Sequence, residues 1–175
     1  MSLFLIAAAS AEAQTALSAD EAAKLAFGSC TPRKDNVFLT DAQLKEIKSR
    51  SGYEMSSRLV PRYLAKCGGA DDGAAYVDIH TVRTKTETLM IVIDREMKIR
   101  RIEVLSFNEP PEYKPKEKWY GLFTGKSLSD ELNLKRGISP VAGSTLTARA
   151  TASAARRILA LHQILSETPK KSTFP

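Results

Sequence analysis

The chain has 175 residues, 43% of them hydrophobic and 26% charged, a composition that suits one domain with a sizeable core and excludes general disorder. A net charge of +6 fits an acidic partner, a polyanion or an anionic surface, and equally a plain solvated basic face. No run approaches the roughly 20 apolar residues of a membrane-spanning helix.

The first residues contain Phe4-Leu5-Ile6-Ala7-Ala8-Ala9 and then Ala11-Glu12-Ala13. A short apolar run before an Ala-x-Ala site has the form of the end of a secretory signal peptide, although the basic start is lacking. Residues 1–15, a signal remnant or else a short native helix, are therefore set apart, and the signal reading implies a periplasmic or otherwise exported protein. Residues 16–35 should form an N-terminal helix and loop. Ser18 and Glu21 have capping-box spacing and open a helix over 18–27. Pro32 to Asn36 is expected to be loop, and Val37-Phe38-Leu39 a short strand. Thr40 to Gln43 opens a second helix, running to about Arg50 with Leu44 and Ile47 inward, and Gly52 closes it.

The middle of the chain changes period. Leu59–Lys66 and Ala74–Val82 have strand character, separated by glycines, and Pro61 should confine the first to a sheet edge. Glu87–Asp94 and Lys98–Leu105 are expected to make the central antiparallel hairpin. Pro115–Phe123 suits a short helix that packs Trp119 and Phe123. From Ser144 to Leu165, apolar residues recur at Leu146, Ala150, Ala154, Ile158, Leu161 and Leu165, the pattern of a long amphipathic helix. The expected fold is α+β: an antiparallel sheet with helices packed on it and a long C-terminal helix.

Cys30 and Cys67 have no zinc or haem spacing; they pair as one disulfide or remain as two thiols. His80 and His162 are the only histidines. No triad or metal cluster is evident. Arg100-Arg101 and Arg156-Arg157 come without a nucleic-acid recognition motif, so no nucleic-acid partner is expected.

The chemically informative segment is Ser139-Pro140-Val141-Ala142-Gly143-Ser144-Thr145-Leu146-Thr147-Ala148. It is a small-residue loop that runs directly into the long helix. Gly143 permits close backbone approach to a ligand. Ser144 and Thr145 fall where free backbone N–H groups and the helix dipole favour a phosphate. A hydroxyl there can bind an anion, be esterified by one, or simply cap the helix.

Gly143-Ser144-Thr145-Leu146-Thr147-Ala148 at a helix start resembles the FMN-binding domain family, which includes the periplasmic flavin-carrying subunits of sodium-pumping NADH:quinone reductases and Rnf-type complexes. Further segments resemble stand-alone members: Tyr76 to Thr84, Glu87-Thr88-Leu89, Glu103-Val104-Leu105, Glu109 to Tyr113, and Phe123-Thr124-Gly125-Lys126 leading to Leu132-Asn133-Leu134. The likeness covers residues 36–166, leaving 167–175 as a polar tail.

The resemblance implies FMN esterified to the Thr145 hydroxyl by a separate flavin transferase. It implies a carrier that relays electrons between a membrane redox complex and another exported electron-transfer protein, rather than a stand-alone enzyme. Ser144, Gly143 and Thr147 would hold phosphate oxygens. Leu146 would pack on the ring or in the core. Arg83 and Thr84 would contact flavin or phosphate, or form surface salt bridges, and Tyr113 would stack on the ring or pack internally. Three positions depart from the family pattern: Ser139 replaces an Asp, Ala142 a Ser or Thr, and Ser144 an Ala. These departures support an alternative, a cofactor-free binding module of the same fold.

Overall fold

The computed structural model describes residues 17–167; the expected signal remnant lies outside them, as does nearly all of the polar tail. Within them the chain runs α1 (Ala19–Phe27), β1 (Thr31–Phe38), α2 (Asp41–Ser51), β2 (Leu59–Cys67), β3 (Ala70–Thr81), β4 (Thr86–Ile93), β5 (Ile99–Phe107), α3 (Glu117–Tyr120) and α4 (Thr145–Glu167). The strands form one antiparallel sheet in sequence order, so each pairs with its chain neighbour. The α+β expectation and the long C-terminal helix hold.

Local chemistry sets the elements. Ser18 and Thr40 each accept from the backbone three residues on, while Glu21 and Gln43 return the bond, completing two capping boxes. Gly68 and Gly69, both at positive φ, are the whole connection between β2 and β3. That is the two-residue hairpin geometry that matches strand twist and that side chains oppose.

Three expectations are corrected. Residues 32–36 are strand rather than loop: β1 pairs with β2 from Thr31↔Lys66 to Phe38↔Leu59. Pro32 is tolerated because β1 is the edge strand. Pro61 does not force β2 to the edge. β3 joins β2 only from Arg62 onward, so at Pro61 the strand has a partner on one side alone. The β4–β5 hairpin is real but peripheral, with β5 at the sheet edge and β3 in the middle.

The sheet carries a core on each face. On one, β-strand residues Tyr76, Leu89, Ile91 and Ile93 meet α4 through Ile158, Leu159 and Leu161, with Ile47 of α2 beside them. Full burial of each such side chain contributes about 1.5–3 kcal/mol. On the other face, α1 places Ala22, Ala23 and Phe27 against Ala75, Val77, Met90 and Val92. No helix among the described residues is long and apolar enough to cross a membrane.

Cys30, just after α1, is disulfide-bonded to Cys67 at the end of β2, with Cα atoms 5.2 Å apart. The bond ties α1 and the edge strand to the sheet across 37 residues. Cys30→Ser/Cys67→Ser should lose about 2–4 kcal/mol of stability through the freed denatured chain. Urea denaturation of the oxidised wild type beside the double variant measures this.

Candidate functional site

The loop before α4 brings most of the expected site residues to one place. Arg83, Tyr113, Gly143, Ser144, Thr145, Leu146 and Thr147 line a small cavity of about 150 Å³. The β3–β4 turn supplies Arg83, the loop after β5 supplies Tyr113, and the loop end and first turn of α4 supply the rest.

The first turn of α4 is held so that its amides stay open. The Ser144 carbonyl accepts from Ala148 N–H at 2.9 Å, the first helical bond, which makes Ser144 the N-cap residue. Its hydroxyl does not turn back to cap the helix; it donates to the Glu112 carbonyl at 3.4 Å. Thr147 Oγ1 donates to the Tyr113 carbonyl at 2.7 Å. Both hydroxyls thus fasten the Pro110–Tyr113 loop to the helix. The backbone N–H groups of Thr145, Leu146 and Thr147 have no acceptor among the described residues, as a first helical turn without a side-chain cap requires. Unpaired N–H groups and the helix dipole at such an end favour a negative charge in general.

Gly143 lies at φ +79°, and a Cβ added there would meet nothing within 4 Å. The position requires glycine for its left-handed backbone, not to relieve crowding within the protein. Thr145 is exposed, and its hydroxyl makes one hydrogen bond, to the Val141 carbonyl at 3.2 Å. Leu146, on the apolar stripe of the sequence, is instead 47% exposed. At the helix start it lines the small cavity instead of the core.

Arg83 contributes charge. Its guanidinium lies over the Tyr113 ring, 4.5 Å from the centroid, a cation–π contact that fixes both side chains at the cavity wall. Its backbone is fixed from below: one Glu109 carboxylate oxygen accepts from Arg83, Thr84 and Lys85 N–H at 3.0, 2.6 and 2.8 Å. These bonds hold the Glu109 carboxyl below the usual carboxylate range. Thr84 is therefore a turn residue bound to Glu109 and does not line the cavity. Trp119 is buried, and its indole N–H donates to the Ser139 carbonyl at 2.8 Å, anchoring the start of the loop.

Beneath the site lies a charged cluster that the sequence pattern did not single out. Arg157 on α4 forms a two-pronged pair with Asp78 on β3, Nε to Oδ2 at 2.9 Å and Nη2 to Oδ1 at 2.5 Å. His80 bridges two carboxylates, Nδ1 to Asp78 at 2.8 Å and Nε2 to Glu87 at 3.1 Å. Glu87 also receives the Tyr120 hydroxyl at 3.4 Å and that of Thr151 at 3.5 Å. All four charged groups are buried. With a carboxylate oxygen at each ring nitrogen, the protonated imidazole satisfies both and balances the cluster's charge.

Burial disfavours the charged ring, yet the bonds to Asp78 and Glu87 outweigh it and hold the His80 pKa above its ordinary value. Burial likewise opposes ionisation of Asp78, but His80 and Arg157 prevail and hold its carboxyl low. The signs are opposite. The His80 contribution is complete below the unfolded value of 6.5 and is lost as pH rises through the higher folded value. The Asp78 contribution is present above 3.8 and is lost as pH falls through the lower folded value. The stability difference between wild type and His80→Gln should therefore shrink as pH is raised from 6 through the folded His80 pKa. Thermal unfolding scans across pH report it.

The fold and site thus define a small α+β domain with an uncapped helix start, an exposed threonine hydroxyl on it and an arginine on the wall of the same cavity. In comparisons with known proteins, no family model, no curated protein and no solved structure matches the chain.

Proposed function

We propose that this protein is an exported flavoprotein electron carrier whose FMN is joined to Thr145 by a phosphoester. One observation carries the reading: Arg83, the exposed Thr145 and the first-turn residues Leu146 and Thr147 line one small cavity, and the amides of residues 145–147 have no acceptor among the described residues. This donor set suits a phosphate monoester, with N–H groups and a fixed cation around its oxygens. A three-ring isoalloxazine is larger than the cavity and would remain at its mouth, beside the exposed Leu146. FMN would supply reversible one- and two-electron chemistry; the protein sets its position and exposure. A ring at the surface suits a carrier, which must meet its redox partners edge to edge.

The departures from the family pattern do not dismantle this site. Ser139 and Ala142 are exposed, and the contact of Ser139 with Trp119 runs through its backbone. What they change is the surface offered to a flavin transferase. Ser144 adds a hydroxyl that binds the neighbouring loop. The test is an intact mass and an absorption spectrum of the full chain, co-produced with a flavin transferase and exported. A gain equal to FMN less one water, with flavin absorbance that survives denaturation, supports the proposal. No gain, while a control substrate is modified in the same cells, leaves the cofactor-free binding module in its place.

A further inference from the structure

At the far end of α4 a second and larger opening is unassigned. A cleft of about 1180 Å³ lies between the α4-facing side of β1–β3 and the C-terminal half of the helix. His162, on its wall, is about 26 Å along the helix from Thr145, at 1.5 Å per residue.

We propose that this cleft binds an organic carboxylate with an apolar body, its head group on the Arg62 guanidinium and its body along Leu64, Ala74 and Leu165. Charge is the first support. Arg33, Arg62, Lys66 and Arg95 line the cleft against a single acid, Asp71. Arg62 is paired with Asp35, but Arg33, Lys66 and Arg95 form no ion pair among the described residues. The cleft therefore holds uncompensated positive charge, which raises the local concentration of anions.

The second support is an unmet donor. The Arg62 Nε is buried and has no hydrogen-bond partner among the described residues. A buried donor left unpaired is costly, and a head group on the 19%-exposed Arg62 side chain satisfies it once a small shift of the guanidinium opens the Nε to the cleft. Third, the neighbouring polar groups are already satisfied by each other. Tyr76 hydroxyl and His162 Nδ1 are 2.8 Å apart, their rings in edge contact. Burial and the Arg62 charge push the His162 pKa down to about 4, so its ring is neutral at ordinary pH and adds a polar wall without competing charge. One donor and a diffuse cationic rim suit a monoanion, while the apolar walls reward a hydrophobic body.

Calorimetric titration of the full-length protein with decanoate tests this, with 1-decanol and acetate as the separated tail and head. Decanoate should bind saturably at one site, shift the His162 ring resonances, and bind far more tightly than either control. Arg62→Gln should weaken it by about tenfold or more, the worth of a charge-assisted hydrogen bond. Arg33→Gln/Arg95→Gln, on the exposed rim and without effect on folding, should weaken it several-fold; this pair decides the matter if Arg62→Gln does not fold. Absence of saturable binding, equal binding of decanol, equal binding of acetate, or an affinity unchanged in the rim variant would each overturn the proposal.

Discussion

Arg157→Met is expected to be the most destabilising single change in the molecule, costing about 3–5 kcal/mol. Arg157 supplies two hydrogen bonds to Asp78, and both side chains are at least 93% buried. Without the guanidinium, Asp78 keeps His80 as its only charged partner in a site closed to water. A charge stranded in this way costs far more than the intact pair contributes. For a chain of this size the melting temperature should fall by roughly 10 °C. Urea unfolding followed by the fluorescence of the buried Trp119 measures it. Asp78→Ala/Arg157→Met should be less damaging than the two single losses added together, because the second substitution removes the charge stranded by the first. A loss below about 1 kcal/mol for Arg157→Met would mean that the cluster relaxes and admits water.

Thr145→Val should abolish covalent flavin while leaving the fold nearly untouched. The residue is exposed and its hydroxyl makes one surface hydrogen bond, so the stability change should stay within about 0.5–1 kcal/mol. Thr147→Val should do the reverse. It removes a part-buried bond of 2.7 Å to the Tyr113 carbonyl and should cost about 1–2 kcal/mol, yet it leaves the acceptor hydroxyl in place. Melting temperature and intact mass, measured on both variants, separate attachment chemistry from loop fastening. Loss of flavin in Thr147→Val with retention in Thr145→Val would move the acceptor to the wrong hydroxyl for this account.

Much of the architecture is legible in the chain because its signals are local. The two capping boxes, the Gly68-Gly69 hairpin and the four-residue spacing from Ala150 to Ile158 need no tertiary information. The errors arose where a neighbour decides. Pro32 and Pro61 lie in strands because their positions lack a ladder partner on one side, and that depends on sheet order. Leu146 has the period of a core residue but is half exposed at the helix start, which no periodicity reveals.

The site divides in the same way. The loop and helix start are contiguous in sequence, so Gly143 to Thr147 stand out together. Arg83 and Tyr113 join them only through the β3–β4 turn and the loop fastened by Ser144 and Thr147. The charged cluster had a signal that passed unused. Asp78 and His80 alternate onto one strand face, and Arg157 interrupts the apolar stripe of α4 three residues after Ala154. A charge on a buried stripe implies a buried partner, and the alternating acid and histidine are the natural ones.

The most direct test of the central claim is a tryptic map of the exported protein co-produced with a flavin transferase. Cleavage after Arg136 and Arg149 releases one peptide, Gly137 to Arg149, which holds Ser139, Ser144, Thr145 and Thr147. The account predicts that this peptide alone gains the mass of FMN less one water, with fragmentation placing it on Thr145. A gain on another residue or another peptide, or none beside a modified control substrate, would contradict it.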